Sequence, residues 1–235
     1  MSTVCIMQPA YLPWLGYFDR IGRSQLHVIL DHVPIDHNSV TKFTNRNKIR
    51  TANGSMWLTV PISTKGEARH DPITELKIPP DTKWQKKHWN TIRCSYSKAP
   101  FFRNHADFFE SVFHQEWSHL YPLLEKIENY LLDILQIHTP RIRSSTLSPV
   151  KRKSELILEI CQKVGASTYI SGPFGRDYLD LESFSKVGIS VEFHEYNHPT
   201  YNQLHDGFEP YMSVIDLIFN HGSNSQQIIT GREIK

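Results

Sequence analysis

Apolar positions along this chain follow a period of two in some stretches and of three to four in others, and the two patterns divide it into elements. Thr3–Met7 reads as a short buried strand running into a polar turn at Gln8-Pro9. Leu15–Gly22 has room for a helix of about two turns, and Gln25–Leu30 reads as a second strand that stops at Asp31-His32. Residues 36–55 are polar without a clear period and are expected to form a long loop or lid, since loops of that length usually carry function or move. Met56–Pro61 and Ile73–Ile78 look like strands joined by a charged turn.

In the middle of the chain Phe109, Phe113, Trp117, Leu120, Leu124, Ile127, Leu131 and Ile134 recur at spacings of three and four, the stripe of helices packed on a core. Pro122 falls inside that stripe and predicts two helices or a kink. Beyond it come a strand at Arg141–Leu147, a helix to Val164 closed by Gly165, and a strand at Ser167–Ser171 stopped by Gly172-Pro173. A helix at Tyr178–Lys186, ended by Gly188, and a strand at Ile189–Tyr196 follow. A β-α-β-α-β order of this kind favours parallel pairing through right-handed crossovers. The expected fold is therefore α/β, a mostly parallel Rossmann-like sheet in one domain over 1–235, with a helical insertion at about 82–138. The tail from Gly222 onward is polar and expected to fray.

Composition narrows the chemistry more than the fold. The chain has 26 basic and 24 acidic residues, a formal charge of +2, too little for a mainly electrostatic grip on nucleic acid. No apolar run approaches the about 18 residues of a membrane-spanning helix. Met1–Gln8 lacks the basic segment of a signal peptide, and Cys5, Cys94 and Cys161 form neither a disulfide framework nor a zinc spacing. A reducing, cytoplasmic setting is expected. Thirteen histidines accompany 12 Phe, 10 Tyr and 5 Trp, a supply of rings and neutral polar groups suited to sugars or nucleosides, although most of the histidines are read as surface residues.

In open α/β sheets ligands gather beyond the carboxyl ends of the strands. Those ends are Gln8-Pro9-Ala10-Tyr11, Asp31-His32, Ser144-Ser145, Ser171-Gly172 and Glu195-Tyr196, which would form one polar rim if the strands share a sheet. No P-loop, G-x-G-x-x-G, G-x-S-x-G or zinc signature appears, so a P-loop nucleoside triphosphatase or a dinucleotide oxidoreductase has no support. Three clusters carry the candidate chemistry. The proline-stiffened loop from Gln8 to Phe18 offers the Gln8 amide and the rings of Tyr11 and Trp14. Asn45-Arg46-Asn47-Lys48-Ile49-Arg50 is basic and amide-rich, suited to a phosphate. Trp84, His88, Tyr96 and Lys98 form the third, with His88 one helical turn after Trp84 and suited by its ordinary pKa to act as a base. Each also has a structural reading: rigid turn, solvated patch, packed histidine. Residues 8–14 and 45–48 are expected to border one pocket. Asp216 and Asn220, four apart in an apolar run, are expected to share a helix face and brace the 199–203 loop.

These segments together resemble the WbqC family of bacterial proteins, from Gln8 to Gly222. The matching pieces are QPAYLPWLGYF at 8–18, LD at 30–31, RNKI at 46–49, WLTVPI at 57–62, Tyr96 with KAP at 98–100, and SSTL at 144–147. YISG at 169–172, YLD at 178–180, PTYNQ at 199–203 and SVIDLIFNHG at 213–222 complete them. The opening motif and the closing S-x-x-D-L-x-F-N-x-G are specific in combination, the others weak individually.

The resemblance implies a place among proteins of surface polysaccharide gene clusters, O-antigen and lipopolysaccharide above all, some of which carry the label glycine transferase. The implied activity is N-acyl or N-aminoacyl (glycyl) transfer to the amine of a nucleotide-linked amino sugar. Acyl-CoA, acyl carrier protein, aminoacyl-tRNA and ATP plus an amino acid all remain open as donor, and no metal is expected. A glycosyltransferase of the same pathway and a non-catalytic nucleotide- or carrier-binding protein are the alternatives. Chemistry placed on the matching positions makes His88 the general base, with Asp31 the fallback. Arg46 and Lys48 suit a diphosphate, Tyr11 and Trp14 suit stacking, and Gln8, Asn47, Lys98, Ser171, Tyr201 and Gln203 complete the expected substrate contacts.

Overall fold

Val4 and Ile6 point to one face of the first strand and Cys5 and Met7 to the other, and all four are buried. A strand covered on both sides has no polar alternation, which is why it reads as a continuous apolar run. The computed structural model describes residues 2–35, 43–63 and 70–231. In chain order its elements are β1 (Thr3–Met7), α1 (Leu15–Gly22), β2 (Leu26–Ile29), β3 (Arg46–Thr51), β4 (Gly54–Thr59), α2 (Lys83–Tyr96), α3 (Phe102–His114) and α4 (Leu120–Ile134). They continue with β5 (Arg141–Arg143), α5 (Lys153–Lys163), β6 (Thr168–Ser171), α6 (Leu181–Lys186), β7 (Ser190–Phe193), α7 (Val214–His221) and α8 (Ser225–Thr230). No helix among the described residues is long and apolar enough to cross a membrane.

The main sheet has the order β5-β2-β1-β6-β7, all parallel, with Cys5 paired to His27 on one side and to Ile170 on the other. Numbered along the chain, its strands lie 3-2-1-4-5, the doubly wound order of a Rossmann-like fold. The chain winds outward from β1 through β2 to β5, then returns to build β6 and β7 on the other side of β1. Helices α1–α4, α7 and α8 cover the Cys5/Met7 face together with the β3–β4 hairpin, and α5 and α6 cover the Val4/Ile6 face. Between β1 and β6 the connections leave to opposite faces, and a crevice opens there at the carboxyl ends.

Several expected elements take other forms. Within 36–55, residues 36–42 lie outside the described residues, but Arg46–Thr51 is a strand in an antiparallel hairpin with β4. Its period of two is hidden because Asn47 and Arg50 are buried along with Ile49. Ile73–Ile78 is not a sheet strand: Ile73–Glu75 is a 3₁₀ turn, and Leu76 and Ile78 pair with the short link before α4. The charged turn expected before it, at 64–69, lies outside the described residues. The helical stripe breaks at Gln115–His119, ahead of Pro122, which occupies the first turn of α4 where a missing N–H costs nothing. The 141–147 strand ends at Arg143 in a 3₁₀ turn, and the helix expected from Tyr178 begins at Leu181, where the Asp180 side chain caps it. The tail does not fray at Gly222, because α8 follows and buries Ile229.

Candidate functional site

The shared sheet brings Gln8, Asp31, Ser144 and Ser171 to one edge, as the strand ends required. Asp31 organises that edge. Its carboxylate is fully buried and accepts from Arg143 Nε at 2.7 Å, Ser145 Oγ at 2.8 Å, Ser145 N–H at 2.8 Å and Ser144 Oγ at 3.0 Å. Burial alone would raise this carboxyl, but the donors outweigh it and hold the pKa below its ordinary value. Four donors occupy about all the lone pairs a carboxylate has, so Asp31 clamps β2 to β5 and has none left to take a proton from substrate. Ser171 is likewise engaged: its Oγ donates to the Gly172 carbonyl at 3.1 Å and packs against Gly175, where a Cβ would come within 2.0 Å.

At the switch point lies a cavity of about 370 Å³, within the usual range for small-molecule sites of about 300–1,000 Å³. It straddles the end of β1, with Trp14 and Arg20 from one face of the sheet, Ile157 and Tyr178 from the other, and Gln8 and Phe43 across the mouth. Gln8 bridges the loops, accepting from Thr44 Oγ1 at 3.2 Å. The Trp14 ring folds back over Gly16, where a Cβ would stand 2.3 Å from it, and meets Tyr196 and Tyr211 edge-on. That close approach is what Gly16 permits. Other cavities lie elsewhere among the described residues. One, of about 340 Å³, sits beside Gly22, Arg23 and Thr139, at the amino ends of β2 and β5; one of about 620 Å³ lies between Pro79 and Trp117, away from the sheet. Topology favours the switch point over both.

The expected site residues divide into two sets. Segments 8–14 and 45–48 touch, Asn47 Nδ2 donating to the Leu12 carbonyl at 2.6 Å, but none of 45–48 lines the cavity; Phe43 and Thr44 border it instead, and Tyr11 N–H donates to the Phe43 carbonyl at 3.0 Å. The residues making those contacts are structural, however. Tyr11 is fully buried with no ring face to offer, and its hydroxyl bonds His88 Nδ1 at 2.9 Å. Asn47 is fully buried and its Oδ1 accepts from Lys48 N–H. His88 is packed against Trp84 and Phe113 and does not line the cavity. Burial, helped by Lys87, pulls its pKa to about 4, so it is a neutral but weak base. Tyr201 Oη and Gln203 Nε2 both donate to Asp216 Oδ2 at 2.9 Å, which places them in the brace of the closing motif. Lys98 is exposed in the turn between α2 and α3. Arg46 and Lys48 point outward around Trp57, 4.5 and 6.0 Å from its ring, and Trp57 stacks on Phe43, a wall of the cavity.

Sequence reasoning missed Phe43, Tyr178 and Arg20. Phe43 carried no local signal; Tyr178 lay in the YLD piece at 178–180 without being read as a site residue. Arg20 carried one: it follows the opening motif on the helix leaving the first strand, the helix from which doubly wound proteins address their ligand.

The order of the strands and the crevice at their carboxyl ends define a doubly wound α/β protein with a cavity at its switch point. The chain belongs to the WbqC-like protein family, whose model matches residues 8–228. It is 34% identical over 227 residues to an uncharacterized protein of Mycobacterium tuberculosis, a match covering 96% of each chain. No solved structure matches it.

Proposed function

We propose that this protein is a cytoplasmic transferase of surface-polysaccharide (O-antigen) biosynthesis, moving an N-acyl or N-aminoacyl group onto the amine of a nucleotide-linked amino sugar. The observation that supports it is the lining of the switch-point cavity, which combines an aromatic ring at Trp14, an amide at Gln8 and a cation at Arg20, the groups a base, a sugar and a phosphate require. The strip from Phe43 to Trp57, with Arg46 and Lys48 beside it, extends that lining outward for the remoter part of the ligand. In this reading His88, Asp31, Tyr11, Asn47, Tyr201 and Gln203 are positioning residues that hold the loops around the cavity.

The test is mass spectrometry of purified protein with nucleotide-linked amino sugars and, separately, glycine plus ATP, acyl-CoA, acyl carrier protein or aminoacyl-tRNA. A mass gain on the sugar is expected, with Trp14→Ala raising KM; no gain with any pairing sinks the transferase reading. A second reading, binding of a nucleotide or carrier without chemistry, is favoured by one feature: among the described residues lining the cavity none is Asp, Glu, His or Cys.

A further inference from the structure

Arg143 and Arg176 at the carboxyl edge are paired with Asp31 and Glu195, and among the described residues Arg20 is not. Its guanidinium reaches from α1 across the crevice to Gly172, just past β6, where a Cβ would stand 3.1 Å from both Nη atoms and 3.4 Å from Cζ. The Gly172 backbone, at φ −71° and ψ 165°, is open to any residue, so what a Cβ there would disturb is the close approach of the guanidinium, which would have to shift by a few tenths of an ångström. Among the described residues Arg20 makes no side-chain hydrogen bond or ion pair, and its Nε is buried without a partner. The neighbouring carboxylates are already engaged. Asp19 takes Arg23 and His194 at 2.6 Å each, Glu128 takes Tyr17 at 2.6 Å and Arg141 at 3.2 Å, and Asp31 takes Arg143. A guanidinium does not lose its proton in a protein, so a fixed and uncompensated charge stands in the cavity wall.

The stretch between β1 and α1 adds to this. Doubly wound proteins commonly seat phosphate on a glycine-rich turn opening the first helix. Here seven residues, Gln8 to Trp14, with prolines at 9 and 13, separate strand from helix, and the Tyr11 and Asn47 contacts fasten that loop to the hairpin. No glycine lies in that loop, and among the described residues lining the cavity Arg20 is the one cation.

We propose that Arg20, held against Gly172, is the seat of a phosphate oxyanion of the ligand, donating from its guanidinium N–H groups to two of the phosphate oxygens, with the Tyr178 hydroxyl as a further donor. The seat names the phosphate contact of the sugar-nucleotide reading and rests on it for the ligand's identity, but a phosphate bound at Arg20 does not depend on any transfer taking place.

Isothermal titration of the full chain with inorganic pyrophosphate and with nucleoside diphosphates tests this. Wild-type binding is expected, weakened about tenfold or more in Arg20→Gln and by less in Arg20→Lys, which keeps the charge but loses the two-pronged geometry. Gly172→Ala, which leaves every charge in place and displaces the guanidinium, is expected to weaken binding several-fold. Lys186→Ala, at an exposed cation paired with Glu182, should bind as wild type. No pyrophosphate or nucleoside diphosphate binding by the wild type, or Arg20→Gln binding within twofold of it, overturns the seat. If Arg20→Gln fails to fold, phenylglyoxal modification of the wild type decides: Arg20 should be protected by pyrophosphate, and equal modification with and without it refutes the proposal. Binding lost in Arg20→Gln together with no turnover of any sugar nucleotide would leave the seat standing and remove only the transferase reading.

Discussion

Asp31 joins two strands that share few other polar contacts at their ends. Removing one partner of a buried, hydrogen-bonded ion pair commonly costs about 3–5 kcal/mol, because the other charge is left without compensation. Arg143 is half-exposed and water can replace its partner, so Asp31→Asn is expected to cost less, about 2–3 kcal/mol in urea denaturation. A loss below about 0.5 kcal/mol would mean that the four donors contribute nothing net. Asp216 works on the same principle at the other end of the chain, where Tyr201, Gln203 and the closing helix meet. That role was legible in the sequence for Asp216, a carboxylate in an apolar run that has to find partners; Asn220, expected to share it, is half-buried and donates to the Asp216 carbonyl of its own helix instead. The engagement of Tyr11 with His88 was not legible, because 77 residues separate them and neither neighbourhood names the other.

At the scale of elements, the β3–β4 hairpin decides where the opening loop sits. Asn47 is its link to Leu12, and Ser213 N–H adds a bond to the Lys48 carbonyl. Asn47→Ala removes a buried donor and leaves the Leu12 carbonyl unpartnered; a loss of about 1–3 kcal/mol is expected, with weaker ligand binding as the loop loosens. Unchanged stability and affinity would show that the loop is held elsewhere. Gly222 makes the complementary case at the other end of α7. At φ +53° it turns the chain into α8, and a Cβ there would meet the Phe101 ring at 2.5 Å. Gly222→Ala is expected to lower the melting temperature by several degrees, the response to a loss of about 1–3 kcal/mol. The glycine of the closing motif was readable as a helix stop; its contact with Phe101, on the link between α2 and α3, was not.

Over the whole molecule, two buried histidines set the response to acid. Burial lowers His27 to about 3 and His88 to about 4, against an ordinary 6.5. Both are neutral when folded and take up protons on unfolding, so their contribution is fully present above pH 6.5 and is lost as pH falls through the range toward 4. At pH 5 the loss amounts to about 2 kcal/mol for each. The raised carboxyls of Glu128 and Asp216 act the other way, adding stability as pH falls through their own folded values. Urea melts from pH 7 to pH 5 should show a fall in stability, to which the lowered His32, His105 and His198 also add, and His88→Gln should make it shallower. A flat profile would mean that these histidines are hydrated in the folded state.

The sequence by itself determined the strands of the main sheet, their parallel pairing, the strand ends that form the rim, and membership of the family. All of these follow from local periodicity, from turn residues, or from motifs continuous in the chain. It did not determine the β3 strand, the 3₁₀ turn at Ile73–Glu75, or which polar residues face ligand. Gln8 and Trp14 line the cavity, whereas Tyr11, Asn47, His88 and Asp31, drawn from the same motifs, face inward. The reason is physical: a buried polar group and a binding group obey the same demand for partners, and only the packing of distant segments shows whether the protein already supplies them. Arg20 is the residue of the cavity lining whose buried Nε is left without a partner.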